Sequence, residues 1–125
     1  MGLLDGLMGN ASENSVDEVQ QEMEPILTEG EQVEKAFKII RDGLIFTNKR
    51  LILIDKQGVT GSKVEYLSIP YKSITRFSRE SAGMLDLDAE LKIWVSSTEQ
   101  PIQKKFNKKT NINDVYAILS KYVLA

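Results

Sequence analysis

The spacing of apolar residues changes period twice along the chain, and this constrains the fold more than any other feature. Up to about residue 27 the pattern is helical: Val16, Val19, Met23 and Ile26/Leu27 recur at three-to-four spacing. From Glu31 to Phe106 it breaks into short β-type runs punctuated by turn residues, and beyond Lys108-Lys109 it is helical again, with Ile112, Val115, Ile118, Leu119 and Tyr122 on one face. The β-type runs are Gln32 to Arg41, Leu44 to Thr47, Arg50 to Asp55, Lys63 to Pro70, Ser73 to Arg79, Glu90 to Ser96 and Ile102 to Phe106. Strands at roughly ten-residue spacing point to an antiparallel sandwich or barrel. A closing helix then seals one open end. Asp42-Gly43 suits a tight hairpin because both residue types tolerate positive φ, and Asn48-Lys49 suits a second.

The N-terminal third is organised differently. Leu3, Leu4, Leu7 and Met8 line one face of a two-turn segment too short to be stable alone. Gly9 to Asn14 reads as a linker. Ser15-Val16-Asp17-Glu18 then has the form of a capping box and predicts a helix starting at Ser15, with Pro25 and Gly30 marking its end. The predicted division is a helical, acidic extension over residues 1–30 and a β-rich domain over residues 31–125.

With 125 residues, 42% of them hydrophobic, the chain can bury a single core. It has no Cys and no His, so disulfides, thiolate nucleophiles, imidazole bases and the best zinc ligands are all excluded. Neither a Gly-x-Gly-x-x-Gly loop, a P-loop nor a Gly-x-Ser-x-Gly elbow occurs, so no catalytic residue and no cofactor are expected. Asp86, Asp88 and Glu90 alternate along one strand face, yet they lack the loop that holds calcium, and no metal is expected. The first nine residues carry no positive charge and fail as a secretory signal. The longest apolar run, Leu51 to Ile54, falls far short of the ~20 residues that cross a bilayer, which leads to the expectation of a cytoplasmic protein.

The net charge of -2 hides a split. Residues 1–32 carry eight acids and no base, whereas residues 33–125 carry 16 bases against 10 acids. An acidic segment lying on a basic body, its own or a neighbour's, is one reading, and a solvated acidic helix is the other.

Several runs resemble the bacterial pleckstrin-homology-like family. They are the Thr47-Asn48-Lys49-Arg50 hairpin ahead of the aliphatic Leu51 to Ile54, the Ile69-Pro70-Tyr71-x-x-Ile74 segment, and Asp86 to Trp94. The resemblance covers about residues 30–123. It implies a seven-stranded antiparallel sandwich capped by a C-terminal helix, and side-by-side assembly into ring-like homo-oligomers. Thr47 and Asn48 are expected to bond the turn backbone, a strand apolar on both faces such as Leu51 to Ile54 to be buried on both, and Phe77 and Trp94 to be core anchors rather than ligand platforms.

The function expected is a non-enzymatic interaction or scaffold module that assembles with itself. Leu3, Leu4, Leu7, Met8, Val19 and Met23 are the interface candidates, and a protein or peptide partner is the further expectation. Phosphoinositide binding is not expected, because Arg41, Lys56 and Lys63 at the sandwich mouth are balanced by Asp42, Asp55 and Glu99. Lys104, Lys105, Lys108 and Lys109 form the one dense basic cluster, read first as a solvated strand edge and second as a weak anion or lipid patch. With a single interleaved aromatic, Phe106, it does not predict specific nucleic-acid binding. The runner-up is a peripheral membrane or envelope-stress adaptor that inserts Leu3, Leu4, Leu7 and Met8 into lipid; Asp5 and the lack of a base there oppose it. A peptide groove between the fifth strand and the C-terminal helix is a third, resting on fold analogy.

Overall fold

A computed structural model describes residues 13–39, 42–58, 63–80, 89–106 and 112–125. Helix α1 (Glu13–Met23) runs into a 3₁₀ turn (Glu24–Ile26) that carries Pro25 at its start. The strands follow: β1 (Val33–Ile39), β2 (Asp42–Thr47), β3 (Arg50–Gln57), β4 (Lys63–Pro70), β5 (Ile74–Glu80), β6 (Ala89–Val95) and β7 (Ile102–Phe106), with α2 (Ile112–Val123) last. β4 and β7 coincide with the runs read from sequence, and the other strands differ by a few residues at their ends.

Two local expectations are corrected. Asp42 and Gly43 are not the hairpin turn but the first residues of β2, paired with Ile39 and Lys38. Gly43 also pairs with Ile54 on its other side, so ladder pairing along two neighbours overrides the dipeptide's local preference. Helix α1 starts at Glu13, ahead of Ser15, so Ser15 stands inside the helix and the capping box is not the start signal. The helix docks on the sheet through Val19 and Met23, both buried.

The strands form two antiparallel sheets, ordered β1-β2-β3-β4 and β5-β6-β7. Alternation along β3 divides the interior in two. Leu51 and Leu53 face the space between the sheets, where they join Phe37, Leu44, Phe46, Leu91, Ile93, Phe106, Val115 and Leu119. Ile52 and Ile54 face the other way and pack with Ala36, Ile45, Val19 and Met23 beneath α1. The expected double burial of this strand is therefore met by sheet on one side and helix on the other. Burying Val19 and Met23 contributes about 1.5–3 kcal/mol each, which anchors an 11-residue helix that would be marginal in isolation.

Helix α2 closes the sandwich with Val115, Ile118 and Leu119 buried, Asp114 in its first turn and Lys121 in its last, as its charge pattern predicts. Tyr122 stacks on Tyr71 at 4.6 Å with the rings 9° from parallel. Phe77 packs against the core and meets Tyr116 edge-on. Trp94 does not: strand alternation puts it on the face opposite Leu91 and Ile93, half-buried, with the Arg76 guanidinium 4.5 Å from its ring centre. The expectation of a core tryptophan is overturned because β5-β6-β7 leaves its outer face to solvent and Arg76 shields the ring there.

Candidate interaction surface

A polar knot ties the N-terminal segment to the β2–β3 hairpin. Thr28 and Glu31 close a four-residue turn through the Glu31 amide and the Thr28 carbonyl at 3.1 Å, with Gly30 at φ +77°. The turn delivers the Glu31 carboxylate, 4% exposed, into four donors: the Thr28 amide at 3.0 Å, the Thr47 hydroxyl at 2.6 Å, and Nε and Nη2 of Arg50, each at 2.8 Å. Arg50 also donates through Nη1 to the Ser68 hydroxyl and through Nη2 to the Ile26 carbonyl. Burial alone would raise the Glu31 pKa; the hydrogen bonds from Arg50, Thr47 and the Thr28 amide, with the nearby guanidinium charge, outweigh it and hold the pKa at about 2. Thr47 bonds the turn as expected, accepting from the Lys49 and Arg50 amides. Asn48 instead reaches across, accepting from the Gln32 amide and donating to the Gly30 carbonyl. The Thr47-Asn48-Lys49-Arg50 motif is thus a clamp on the chain entering β1.

The same geometry places the residues singled out from sequence. Val19 and Met23 are 1% and 2% exposed inside the chain's own second core, so their apolar area is already covered. Leu3, Leu4, Leu7 and Met8 lie outside the described residues, as do Lys108, Lys109, Asp86, Asp88 and Arg41. Lys104 and Lys105 point to opposite faces of β7, as alternation predicts. Lys104 pairs with Asp42 at 3.2 Å, while Lys105 is exposed opposite Glu90. Among the described residues the structure therefore does not bring the lysines together. Between β5 and α2, the Phe77 and Tyr116 side chains meet and Arg79 lies over the same Tyr116 ring, so this chain's own side chains occupy that space.

Among the described residues, two concave regions stand out. A cleft of about 290 Å³ between β1 and α2 is lined by Glu34, Lys35, Asp114 and Lys121, whose charges cancel, and Lys121 already reaches Glu34 at 3.4 Å. Burial, then its hydrogen bond to Glu34, pushes the Tyr122 phenol up to about 12, and burial also raises Tyr71, whose hydroxyl donates to the Thr47 carbonyl at 2.6 Å. Both phenols stay protonated at neutral pH.

The second region is apolar. A groove of about 270 Å³ runs between Leu67 and Ile69 of β4 and Val95 and Ile102 of the other sheet, with Thr98 and Gln100 at its rim. The β6–β7 loop is held over it by the Ser96 amide and hydroxyl, both bonded to the Ser73 carbonyl, and by Ser97 at φ 66°. Beside the groove, β4 exposes residues 63–68 without interruption. Val64, Tyr66 and Leu67 there are 38%, 44% and 40% exposed. Sequence reading missed this surface because an alternating Val64/Tyr66 and Leu67/Ile69 pattern is what a strand covered on both faces would also show.

A four-plus-three antiparallel sandwich sealed by a C-terminal helix is the architecture of a pleckstrin-homology-type module. The chain belongs to the bacterial PH domain family, whose model matches residues 2–123 and so includes the N-terminal segment as well. It is 58% identical over 121 residues to the uncharacterized protein YjqA of Bacillus subtilis, covering 96% of this chain and 97% of that one. It is also 35% identical to YozO of the same organism, covering 82% and 88%. Among crystal structures, a pleckstrin homology domain from Shewanella amazonensis superposes with a TM-score of 0.84 at 48% identity, covering 99% and 100% of the two chains. A DUF1696-family protein with a pleckstrin-homology domain from Shewanella loihica gives 0.82 at 46% identity, covering 92% and 96%.

Proposed function

We propose that this chain is a non-catalytic, cytoplasmic interaction module that assembles with copies of itself into a ring-like homo-oligomer. The observation that carries the reading is the β4 surface: three large apolar residues exposed on the strand that, among the described residues, ends its sheet, next to an apolar groove. Surface of this kind favours association with protein over water. The concave regions support the same reading, since one has balanced charge and the other little polar chemistry, and neither concentrates the positive charge a phosphorylated headgroup needs. The pairing of Lys104 with Asp42 also weakens the case for a lipid patch.

Size-exclusion chromatography with light scattering, at low and moderate salt, tests the proposal. A discrete species many times the 14.1 kDa protomer supports it. A monomer at all concentrations, together with flotation on anionic vesicles, would replace it with the membrane-adaptor reading.

A further inference from the structure

The cleft between β1 and α2 carries chemistry of its own. Consecutive strand residues ordinarily point to opposite faces. Glu34 and Lys35 nevertheless both line this cleft, and the strand register shows why. Val33 stands opposite Thr47 and Lys35 opposite Phe46, so Glu34 is an extra residue at a bulge. Val33 packs on the α1 side of the sheet, Lys35 takes the side of Phe46, and the bulge turns Glu34 with it towards α2. The facing wall is one stripe of α2, formed by Asp114, Ala117, Ile118 and Lys121 at helical spacing. Two acids and two bases thus surround an aliphatic floor of Ala117 and Ile118.

The four charges are not equivalent. Glu34 is already served: it accepts from the Tyr122 phenol, which stacking on Tyr71 holds in place, and from Lys121 at 3.4 Å. Lys35 and Asp114, on opposite walls, make no ion pair among the described residues. We infer that the cleft binds a small zwitterion, of the chemical class of a free α-amino acid with an aliphatic side chain. Its carboxylate meets Lys35, its ammonium meets Asp114, and its side chain lies on Ala117 and Ile118. The charges select this class. An anion drawn to Lys35 is opposed by Glu34 and Asp114, and a cation drawn to Asp114 is opposed by Lys35 and Lys121; a molecule carrying both signs gains from both walls. The volume, about 290 Å³, is at the lower limit of ligand clefts and suits a single small molecule. A bulge is also a device by which strands re-aim side chains beside binding sites. Ion pairs at exposed positions contribute little each, so binding is weak, with half-saturation in the millimolar range.

The site stands whether or not copies assemble, so its test is read on the ligand. Saturation-transfer NMR is run on the full chain with leucine, with isocaproate, which lacks the ammonium, and with isoamylamine, which lacks the carboxylate. The expected result is saturable transfer to leucine in the millimolar range, with binding of either analogue about two- to fivefold weaker. Lys35→Gln and Asp114→Asn, shown to be folded by circular dichroism, should each weaken leucine binding by the same factor. Glu65→Gln, at an exposed position on β4, should leave it unchanged. An absence of saturable transfer to leucine would overturn the inference. So would analogues that bind as tightly as leucine, or leucine binding that survives both the Lys35 and the Asp114 variant.

Discussion

Glu31 is the residue on which most of the local order depends. An acid at the mouth of a strand reads from sequence as a solvated charge, and no periodicity marks it as buried. What makes it a core residue is the turn with Gly30 at positive φ, which aims it at Arg50 from 19 positions further along the chain. Its folded pKa lies below the ordinary value, so its contribution is fully present above about pH 5 and is lost as pH falls towards about 2. Integrated over that window it amounts to roughly 2–3 kcal/mol. Urea midpoints measured from pH 7 to pH 2.5 should show this loss, and Glu31→Gln should flatten the acid limb by about one proton's worth. Arg50→Ala strands a buried carboxylate and should cost about 3–5 kcal/mol by urea unfolding at pH 7. Arg50→Lys keeps the charge but lacks the fork that serves Glu31, Ser68 and Ile26 together, so its loss should be intermediate. Gly30→Ala meets no atom within 4 Å, so its cost should be the backbone strain alone, about 1 kcal/mol in the same assay.

At the scale of elements, the β-runs were legible because β-branched and aromatic residues alternate between clear turn signals, and the two helices were legible from their period. The partner of each apolar face was not. The spacing of Val19 and Met23 shows that the helix buries a stripe, and it suits a neighbouring molecule as well as the chain's own sheet. The structure settles this through Ala36, Ile45, Ile52 and Ile54 beneath the helix, and through Gln20, whose side-chain oxygen accepts from the Val33 amide at 2.6 Å. A helix that looks separable from sequence is thus one wall of a core. Deleting residues 1–27 should bare that wall and give a poorly soluble protein that binds a hydrophobic dye. Met23→Ala, milder, should lower stability by about 2–4 kcal/mol in thermal or urea unfolding. β4 shows the opposite failure. Its pattern resembles that of a covered strand, and only its place at the sheet edge, which depends on pairings far apart in sequence, reveals the exposure of Val64, Tyr66 and Leu67.

At the scale of the whole molecule, the charge split recorded in the sequence takes a definite form. Asp17, Glu18, Glu22, Glu24 and Glu29 lie exposed on α1 and the segment after it, while Lys72, Arg76 and Arg79 lie exposed on β5 and its approach. Opposed charge between distinct surfaces favours contact between copies and weakens as salt screens it over a Debye length of about 8–10 Å. Tyr66→Glu, at a position 44% exposed, should leave the fold intact by circular dichroism while abolishing assembly, because it places a charge in the apolar strip. The most direct test of a closed homo-oligomer is native mass spectrometry of the full chain across a hundredfold range of concentration. A single dominant mass at one integer multiple of 14.1 kDa, constant over that range, is the expected result. A protomer alone, or a ladder of masses lengthening with concentration, would contradict a closed ring.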